Sequence, residues 1–475
     1  MEHVAPLVVD LDGTLLRSDL LLETGLLFVR DQPLRVLSPL FWLAGGKAAL
    51  KHQLAHATDL DVTRLPYDPA VIALITRERA AGRRIVLATA SHHRLAERVA
   101  AHLRLFDDVI ASDGSRNLSA HVKRDALVDA YGEGGFDYAG NARDDLPVWQ
   151  AARRAHVVNA PAAVRRQADA LGNVTEVINS PAGGLRDWVA ALRLHHWLKN
   201  LLIFVPLLVS HQIVAWPSVT HAIVAFVAFG LCASSVYILN DLLDLRDDRH
   251  HPRKRERPFA AGRLSIKAGL VALSLLLLVA FGLALLYLPT AFTLGLAGYY
   301  GLTLSYSLWL KRHMVIDVIT LAILYTLRII LGTLALDLPM SFWLLAFSMF
   351  IFLSLALIKR YAELYQLRDR SQGTKARGRG YFIDDLPMIA SLGAAAGYMA
   401  VMVLALYIND AHSAQLYQQP EFFWLACPLL LVWMTRLWML AYRGLVHEDP
   451  VIFTIRDRVS QGIALILALV FWAAL

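Results

Sequence analysis

The chain has 475 residues, 57% of them hydrophobic, with a mean hydropathy of +0.47; this excludes a single water-soluble body and leaves room for two or three domains. A formal net charge of +7 raises nucleic-acid binding, but the Lys and Arg sit mostly in loops beside apolar runs, where anionic lipid head groups and membrane topology account for them, so nucleic acid is set aside as a partner. Both cysteines, Cys232 and Cys427, lie in apolar runs, which excludes a disulfide framework and a Cys-based metal site.

The apolar excess is uneven. Up to about residue 190 the chain is charge-studded, and beyond it apolar runs near the ~20-residue spanning length recur. The expected organisation is an α/β domain over residues 1–160, a linker over 161–190 and an all-α polytopic membrane domain over 191–475. Met1 to Leu16 carries Asp10 and Asp12 inside what would be the apolar core of a leader, so the N-terminal domain is expected to stay in the cytoplasm.

Val4 to Leu16 begins as a short apolar run, suited to a buried strand, and ends in two acids and a Gly turn. That pattern suits a site at the C-terminal edge of a parallel sheet. Asp10-Leu-Asp12-Gly-Thr14 resembles motif I of the haloacid dehalogenase (HAD) superfamily. The resemblance implies a Rossmann-like α/β domain with a cap at about residues 20–80, Asp10 as nucleophile and Asp12 as general acid/base. A second apolar strand, Arg84 to Ser91, carries Thr89 in the place of motif II, and Lys123 fits motif III. Tyr138-Ala-Gly140-Asn-Ala-Arg-Asp-Asp145 occupies motif IV but has Asn141 where the family places an acid. Asp10, Asp12 and Asp145, with Asp144 beside it, are then the expected Mg²⁺ carboxylates, and the loss of one charge lowers metal affinity. Two readings follow: a working, slow phosphatase, or a retired domain kept for docking or regulation. Inside the cap, Val36 to Ala44 is too short to span a bilayer and is expected in the cap core rather than against the membrane.

Past the linker, Leu192 to Asn200 is amphipathic, and apolar runs begin near Leu198, Val219, Ile266, Thr290, Val315, Phe342, Met388, Phe422 and Ile463, predicting about nine spans. Basic residues fall in alternate connections: Arg246 to Arg257, Lys311 and Arg312, Lys359 to Arg379, and Arg443 to Arg458. The connections near His211, Pro289, Asp337 and Asn409 carry no Lys or Arg. The positive-inside rule then places the basic loops in the cytoplasm with the N-terminal domain, in an inner, cytoplasmic-type membrane.

Between Tyr237 and Pro258 an apolar segment runs into Asp241, Asp244 and Asp248 and then a basic cluster. On a helix those three acids share a face, a like-charge arrangement costing ~0.2–0.5 kcal/mol per pair that a hard cation relieves. Oxygen-only ligands favour Mg²⁺ held jointly with substrate phosphates, which Lys254, Arg255 and Arg257 could grip. Asn240-Asp241-x-x-Asp244-x-x-x-Asp248 resembles the first aspartate-rich motif of the UbiA superfamily of intramembrane prenyltransferases. His251-Pro252-x-Lys254-Arg255-x-Arg257-Pro258 is similar to its decaprenyl-phosphate phosphoribosyltransferase branch. The same branch is suggested by Lys199 in a Trp-x-Lys-Asn pattern and by Lys311 and Arg312 with Asp317, Arg328 and Gly332, a span that also carries Tyr325. Lys359-Arg360-x-x-Glu363 stands where other members carry a second aspartate-rich motif, which suits direct phosphate binding. His195, His196, His250 and His251 have no metal-site spacing.

The resemblance implies a lipid-embedded bundle in which Asp241 and Asp244 are catalytic and Mg²⁺ holds a diphosphate. Two enzymes share this equipment: a phosphoribosyltransferase acting on polyprenyl phosphate with phosphoribosyl diphosphate, and an aromatic prenyltransferase using isoprenyl diphosphate. An ionised phosphate acceptor needs no general base, and its site must hold three phosphate groups, so the cations at Lys254, Arg255, Arg257, Lys359 and Arg360 favour the first. A non-enzymatic membrane scaffold is the third reading.

Overall fold

The computed structural model describes residues 5–210, 215–369, 380–409, 419–446 and 449–474. They form two compact units, one of residues 1–192 with 237–273 and the other of 193–236 with 274–475. The basic residues Arg370, Lys375, Arg377 and Arg379, and the connection at His211, lie outside the described residues.

The first unit is built on six parallel strands, β1 (Leu7–Val9), β2 (Ile85–His92), β3 (Asp108–Ser112), β4 (Asp137–Gly140), β5 (Arg154–Val158) and β6 (Val174–Ile178), in the order β3-β2-β1-β4-β5-β6. The run Leu7-Val8-Val9 is central because it is apolar on both faces and fully buried. Leu7 and Val9 face one core with Leu74 and Val99, whereas Val8 faces the other with Leu127, Tyr138 and Trp149. The stretch 161–190, expected as a linker, instead supplies helix Ala162–Asp169 and the edge strand β6, because Val164, Ala168 and Val177 close the second core.

Between β1 and the sheet helix Pro69–Ala80 lies a cap of three helices, Leu20–Asp31, Ser38–Ala44 and Gly46–Ala57. Asp19 caps the first, its carboxylate accepting from the Leu21 and Leu22 N–H groups at 2.9 and 3.1 Å. The apolar segment expected in the cap core is not there. Trp42 packs on Phe28 with ring centroids 5.0 Å apart, but Leu34, Leu37, Leu40 and Phe41 are 60 to 100% exposed.

The aspartate-rich stretch belongs to this unit. Arg249 reaches the cap helix and pairs with Glu23 through two hydrogen bonds of 2.6 and 3.0 Å, while its Nε donates to the Ala260 carbonyl at 3.1 Å. Both side chains of the pair are buried. Arg30 with Asp247, and His250 with Asp61 at 3.0 Å, flank it.

The second unit is helical. Among the described residues six helices are long and apolar enough to cross a membrane, or seven when the bent pair Pro450–Arg456 and Arg458–Ala474 counts as one. The protein is therefore an integral membrane protein, with fewer clear spans than the nine expected. The run at Leu198 breaks into short helical turns over Leu194–Phe204 and Val205–Val209, and helix Thr290–Leu308 is diluted by Thr, Ser and Tyr. Helix Ile266–Tyr287 leaves most of its apolar surface bare, as a lipid-facing helix does. In the core, Trp438 Nε1 donates to Ser354 Oγ at 3.0 Å, and Ser354 donates to the Gly393 carbonyl at 2.7 Å. A Cβ on Gly393 would meet the Trp438 ring at 2.0 Å, so only glycine lets these helices approach.

The Glu23–Arg249 pair carries a stability prediction. Glu23→Ala leaves a buried guanidinium without its carboxylate and should cost about 3–5 kcal/mol, while Glu23→Leu combined with Arg249→Met should recover most of that. Chemical denaturation of the purified protein, followed by tryptophan fluorescence, measures both.

Candidate active sites

Two acids leave the end of β1, and the fold brings the other N-terminal candidates to the same edge. Lys123 Nζ donates to Asp10 at 2.8 Å and to the Tyr138 hydroxyl at 2.9 Å, with Asp145 at 3.5 Å. Burial pushes the Asp10 carboxyl up to about 6, against the pull of Lys123. Burial would lower Lys123, but the charges of Asp10 and Asp145 outweigh it and hold the ammonium. Asp12 accepts from Ser91 Oγ at 2.6 Å and from the Leu20 N–H at 2.8 Å; burial, with Asp19 nearby, pushes it up to about 7. Thr89 is buried on β2, three residues before its end, its hydroxyl accepting from the Ser91 N–H at 3.0 Å. A nucleophile beside a fixed cation, next to an acid that titrates near neutrality, is equipment for phosphoryl transfer.

Asp145 is engaged from both sides. One of its oxygens accepts the Asn141 and Ala142 N–H groups at 2.9 and 3.0 Å, and the other meets the Tyr138 hydroxyl at 2.7 Å and Lys123. A carboxylate offers about four lone-pair sites, and these four donors use them. Asp145 thus clamps Lys123 and the loop, and Asp144 is exposed. Asn141 lies against the turn at Gly13, where a Cβ would meet its amide nitrogen at 2.1 Å and φ is +77°. Asn141 offers a hard cation a neutral amide oxygen where an acid would offer a charged one, a weaker donor.

In the aspartate-rich stretch, helix Trp216–Leu243 ends at Asp244 and resumes as Leu245–His250. Backbone bonds from Asp244 N to Asn240 O and from Asp248 N to Asp244 O, at 2.9 and 2.8 Å, carry the helical phase across the break. Asp241 and Asp248 therefore face the same way, and one Arg257 nitrogen bridges them at 3.1 and 2.7 Å. Arg257, expected on substrate phosphate, is here the cation between two buried acids. Burial, opposed by Arg257, pushes Asp248 up to about 6. Lys254 and Arg255 are exposed in the following turn, Arg255 beside Glu256. The two carboxylates of Asp241 and Asp248, brought together around one guanidinium, are oxygen donors of the kind a hard divalent cation takes.

In the second unit Lys199 and Lys359 converge on Asp449 at 2.6 and 3.2 Å, with the Tyr325 hydroxyl 3.3 Å from the same carboxylate. Lys199 also sits over the Tyr325 ring, its ammonium 5.5 Å from the centroid. Arg328 donates to Asn200 at 3.1 Å and lies 5.1 Å from the ring centres of Phe229 and Tyr325. Arg360 departs from expectation: it is fully buried, pairs with Asp317 at 2.8 Å and also holds Glu363, so its charge goes into helix packing. Lys311 lies in the turn Leu310–Arg312.

Residues 202–456 match the UbiA prenyltransferase family, more than half of the chain. The chain belongs to the UbiA prenyltransferase family. Residues 7–150 match the haloacid dehalogenase-like hydrolases, and the parallel sheet agrees. The chain is 36% identical to the uncharacterised protein y4nM of Sinorhizobium fredii, over 99% of this chain and 91% of that one. It is 32% identical to the decaprenyl-phosphate phosphoribosyltransferase of Mycolicibacterium smegmatis, over 58% of this chain and 87% of that one. A solved UbiA homolog of Archaeoglobus fulgidus bound to DMAPP and Mg²⁺ aligns with TM-score 0.47 and 15% identity, over 60% of this chain and 98% of that one. This UbiA member is thus an enzyme with a HAD-type domain on the same chain.

Sequence reading missed Asp449, Tyr138, Ser91 and the Glu23–Arg249 pair. Asp449 precedes Pro450 as a plain helix cap, and nothing local marks the two lysines that meet it. The cap also places His52, His56 and His92 with nitrogen atoms within 4.8 Å of one another. His92 Nδ1 already accepts from the Arg94 N–H at 3.3 Å and its Nε2 meets His52 Nδ1 at 3.0 Å, so this cluster is a hydrogen-bonded cap contact.

The raised carboxyls set a pH dependence. Asp10 and Asp12 keep protons when folded at pH values where the unfolded chain, with carboxyls near 3.8, has lost them. The folded state then binds more protons between the unfolded and folded values, and stability falls as pH rises through that window. Calorimetry should find the N-terminal domain melting higher at about pH 5 than at about pH 7.5, with Asp12→Asn flattening the slope.

Proposed function

We propose that the membrane domain transfers a phosphoribosyl group from phosphoribosyl diphosphate to polyprenyl phosphate, and that the HAD-type domain then removes the 5-phosphate from the product. The observation that carries the first part is the convergence of the buried Lys199 and the part-exposed Lys359, with Tyr325, on a single acid, at the place where a second metal-binding aspartate motif is expected in an aromatic prenyltransferase. Cations there suit phosphate, and the similarity to a relative named for phosphoribosyl transfer supports the same reading. The alternation of basic loops supports a cytoplasmic face for both activities.

In this reading an oxygen of the lipid phosphate attacks the anomeric carbon of ribose, the bond from that carbon to the diphosphate oxygen breaks, and diphosphate leaves. The acceptor is already ionised, so no base is required. Asp449, held by two lysines and a tyrosine, serves to orient those cations. Asp241, Asp244 and Asp248 would hold Mg²⁺, whose chemistry is to neutralise the departing diphosphate. Lys199, Lys359 and Arg328 supply fixed positive charge, and Lys254 and Arg255 lie exposed for the donor. Asp241→Asn or Asp244→Asn should abolish transfer from labelled phosphoribosyl diphosphate in membranes while leaving the protein folded. Lys359→Ala should weaken donor binding by ~1.5–3 kcal/mol, as for a hydrogen bond to a charged group. Transfer of an isoprenyl group to an aromatic acid by wild type, with phosphoribosyl diphosphate ignored, would instead identify the aromatic prenyltransferase.

For the second step, Asp10 attacks phosphorus, the bond to the sugar oxygen breaks and Asp12 gives that oxygen its proton. Water, deprotonated by Asp12, then cleaves the aspartyl-phosphate. Asp12 titrating near 7 suits both roles, and Lys123 offsets the charge at Asp10. Fusion keeps a membrane-held product close to this site at high effective concentration, so weak metal binding at Asn141 is tolerable. Asp10→Asn should accumulate the phosphorylated lipid-linked ribose where wild type yields the dephosphorylated form; identical product profiles by mass spectrometry would leave the domain a structural or regulatory role.

A further inference from the structure

The cap exposes an apolar segment that no part of the proposed chemistry uses. Pro33–Ala44 carries Leu34, Leu37, Leu40 and Phe41 at 100, 60, 64 and 73% exposure, with Val36 and Leu43 nearly half exposed. A contiguous apolar surface of this kind has a partner. The segment is not loose: Trp42 anchors it on Phe28, and Phe28 is fully buried in the helix that also holds Glu23.

Its chemistry selects among partners. From Gln32 to Ala57 there is no Asp or Glu, while Arg35, Lys47 and Lys51 are present. An apolar stripe flanked by cations and free of acids fits an anionic lipid surface. At about 1.5 Å per residue it is some ~18 Å long, too short to cross ~30 Å of hydrocarbon, so it lies in the plane of the interface. The preceding helix is also tied to the end of a membrane helix. Arg30 pairs with Asp247, four residues beyond the end of Trp216–Leu243, and Glu23 pairs with Arg249 two residues further on. Only two residues of chain separate Arg30 from Pro33.

We infer that Pro33–Ala44 is a lipid-contacting element: it inserts Leu34, Leu37, Leu40 and Phe41 among the acyl chains, while Arg35 and Lys47 meet anionic head groups. The cap of the HAD-type domain thereby rests on the surface that carries lipid-linked phosphates. The assignment is independent of which donor or acceptor the membrane domain uses.

The test uses the full chain in nanodiscs of phosphatidylcholine and phosphatidylglycerol, in a Cys232→Ser, Cys427→Ser background. Phe41→Cys carries an environment-sensitive dye, and the exposed Glu133→Cys, far along the sequence on the turn before β4, serves as control. With lipids spin-labelled on the acyl chain, the dye at 41 should lose emission at least about twofold while the dye at 133 does not. Adding Leu37→Ser and Leu40→Ser should reverse the loss. Equal emission at 41 with and without spin label overturns the inference, and so does energy transfer between separately labelled copies without quenching, which would assign the face to a second copy of this chain.

Discussion

A charge removed from water must be given an opposite charge or a full set of hydrogen bonds, and this requirement organises each site described above. Asp10 and Asp145 share Lys123, Asp241 and Asp248 share Arg257, Lys199 and Lys359 share Asp449, Glu23 holds Arg249, and Asp317 holds Arg360. What differs is how completely each pairing closes. Asp145 accepts from four donors, whereas the fully buried Arg360 pairs with Asp317 and Glu363 while its Nε has no hydrogen-bond partner among the described residues. Arg257 stands between two acids with part of its side chain open to solvent, and Lys359 likewise, an arrangement from which an incoming cation or phosphate can take over one partner.

The same rule ties the cap to the aspartate-rich segment. Helix Leu20–Asp31 gives its first backbone N–H to Asp12 and, one turn later, its Glu23 to Arg249, which neighbours Asp248. A single helix therefore contacts a proposed proton donor of the phosphatase at one end and the arm of the aspartate-rich stretch near its middle. Its next segment is the apolar one, so the cap joins three surfaces: the α/β core, the aspartate-rich segment and lipid.

Asn141 is the place where the HAD pattern and the chemistry pull apart. Having Asn instead of the acid after Gly140 removes a charge that would favour a cation, yet Asp10, its Lys123 and Asp12 remain held in place. The dephosphorylation reading rests on this held geometry, with Lys123 on Asp10 and Ser91 on Asp12.

Apolar periodicity and charge placement divided the chain into an α/β part and a membrane part, and the resemblance of short motifs to the HAD and UbiA superfamilies located Asp10, Asp12, Thr89, Lys123 and the aspartate-rich run. These features are short-range: a strand, a turn and a helical repeat are each written in a few consecutive residues. The length of the sheet past residue 160, the inclusion of Tyr237–Leu273 with the N-terminal unit, the four donors to Asp145, the burial of Arg360 against Asp317, and the meeting of Lys199, Lys359 and Asp449 were decided only in three dimensions. Lys199 and Asp449 are 250 residues apart and Glu23 and Arg249 are 226 apart. A charge has no directional signature in sequence, and its partner is set by which buried positions the packed helices and sheet leave adjacent.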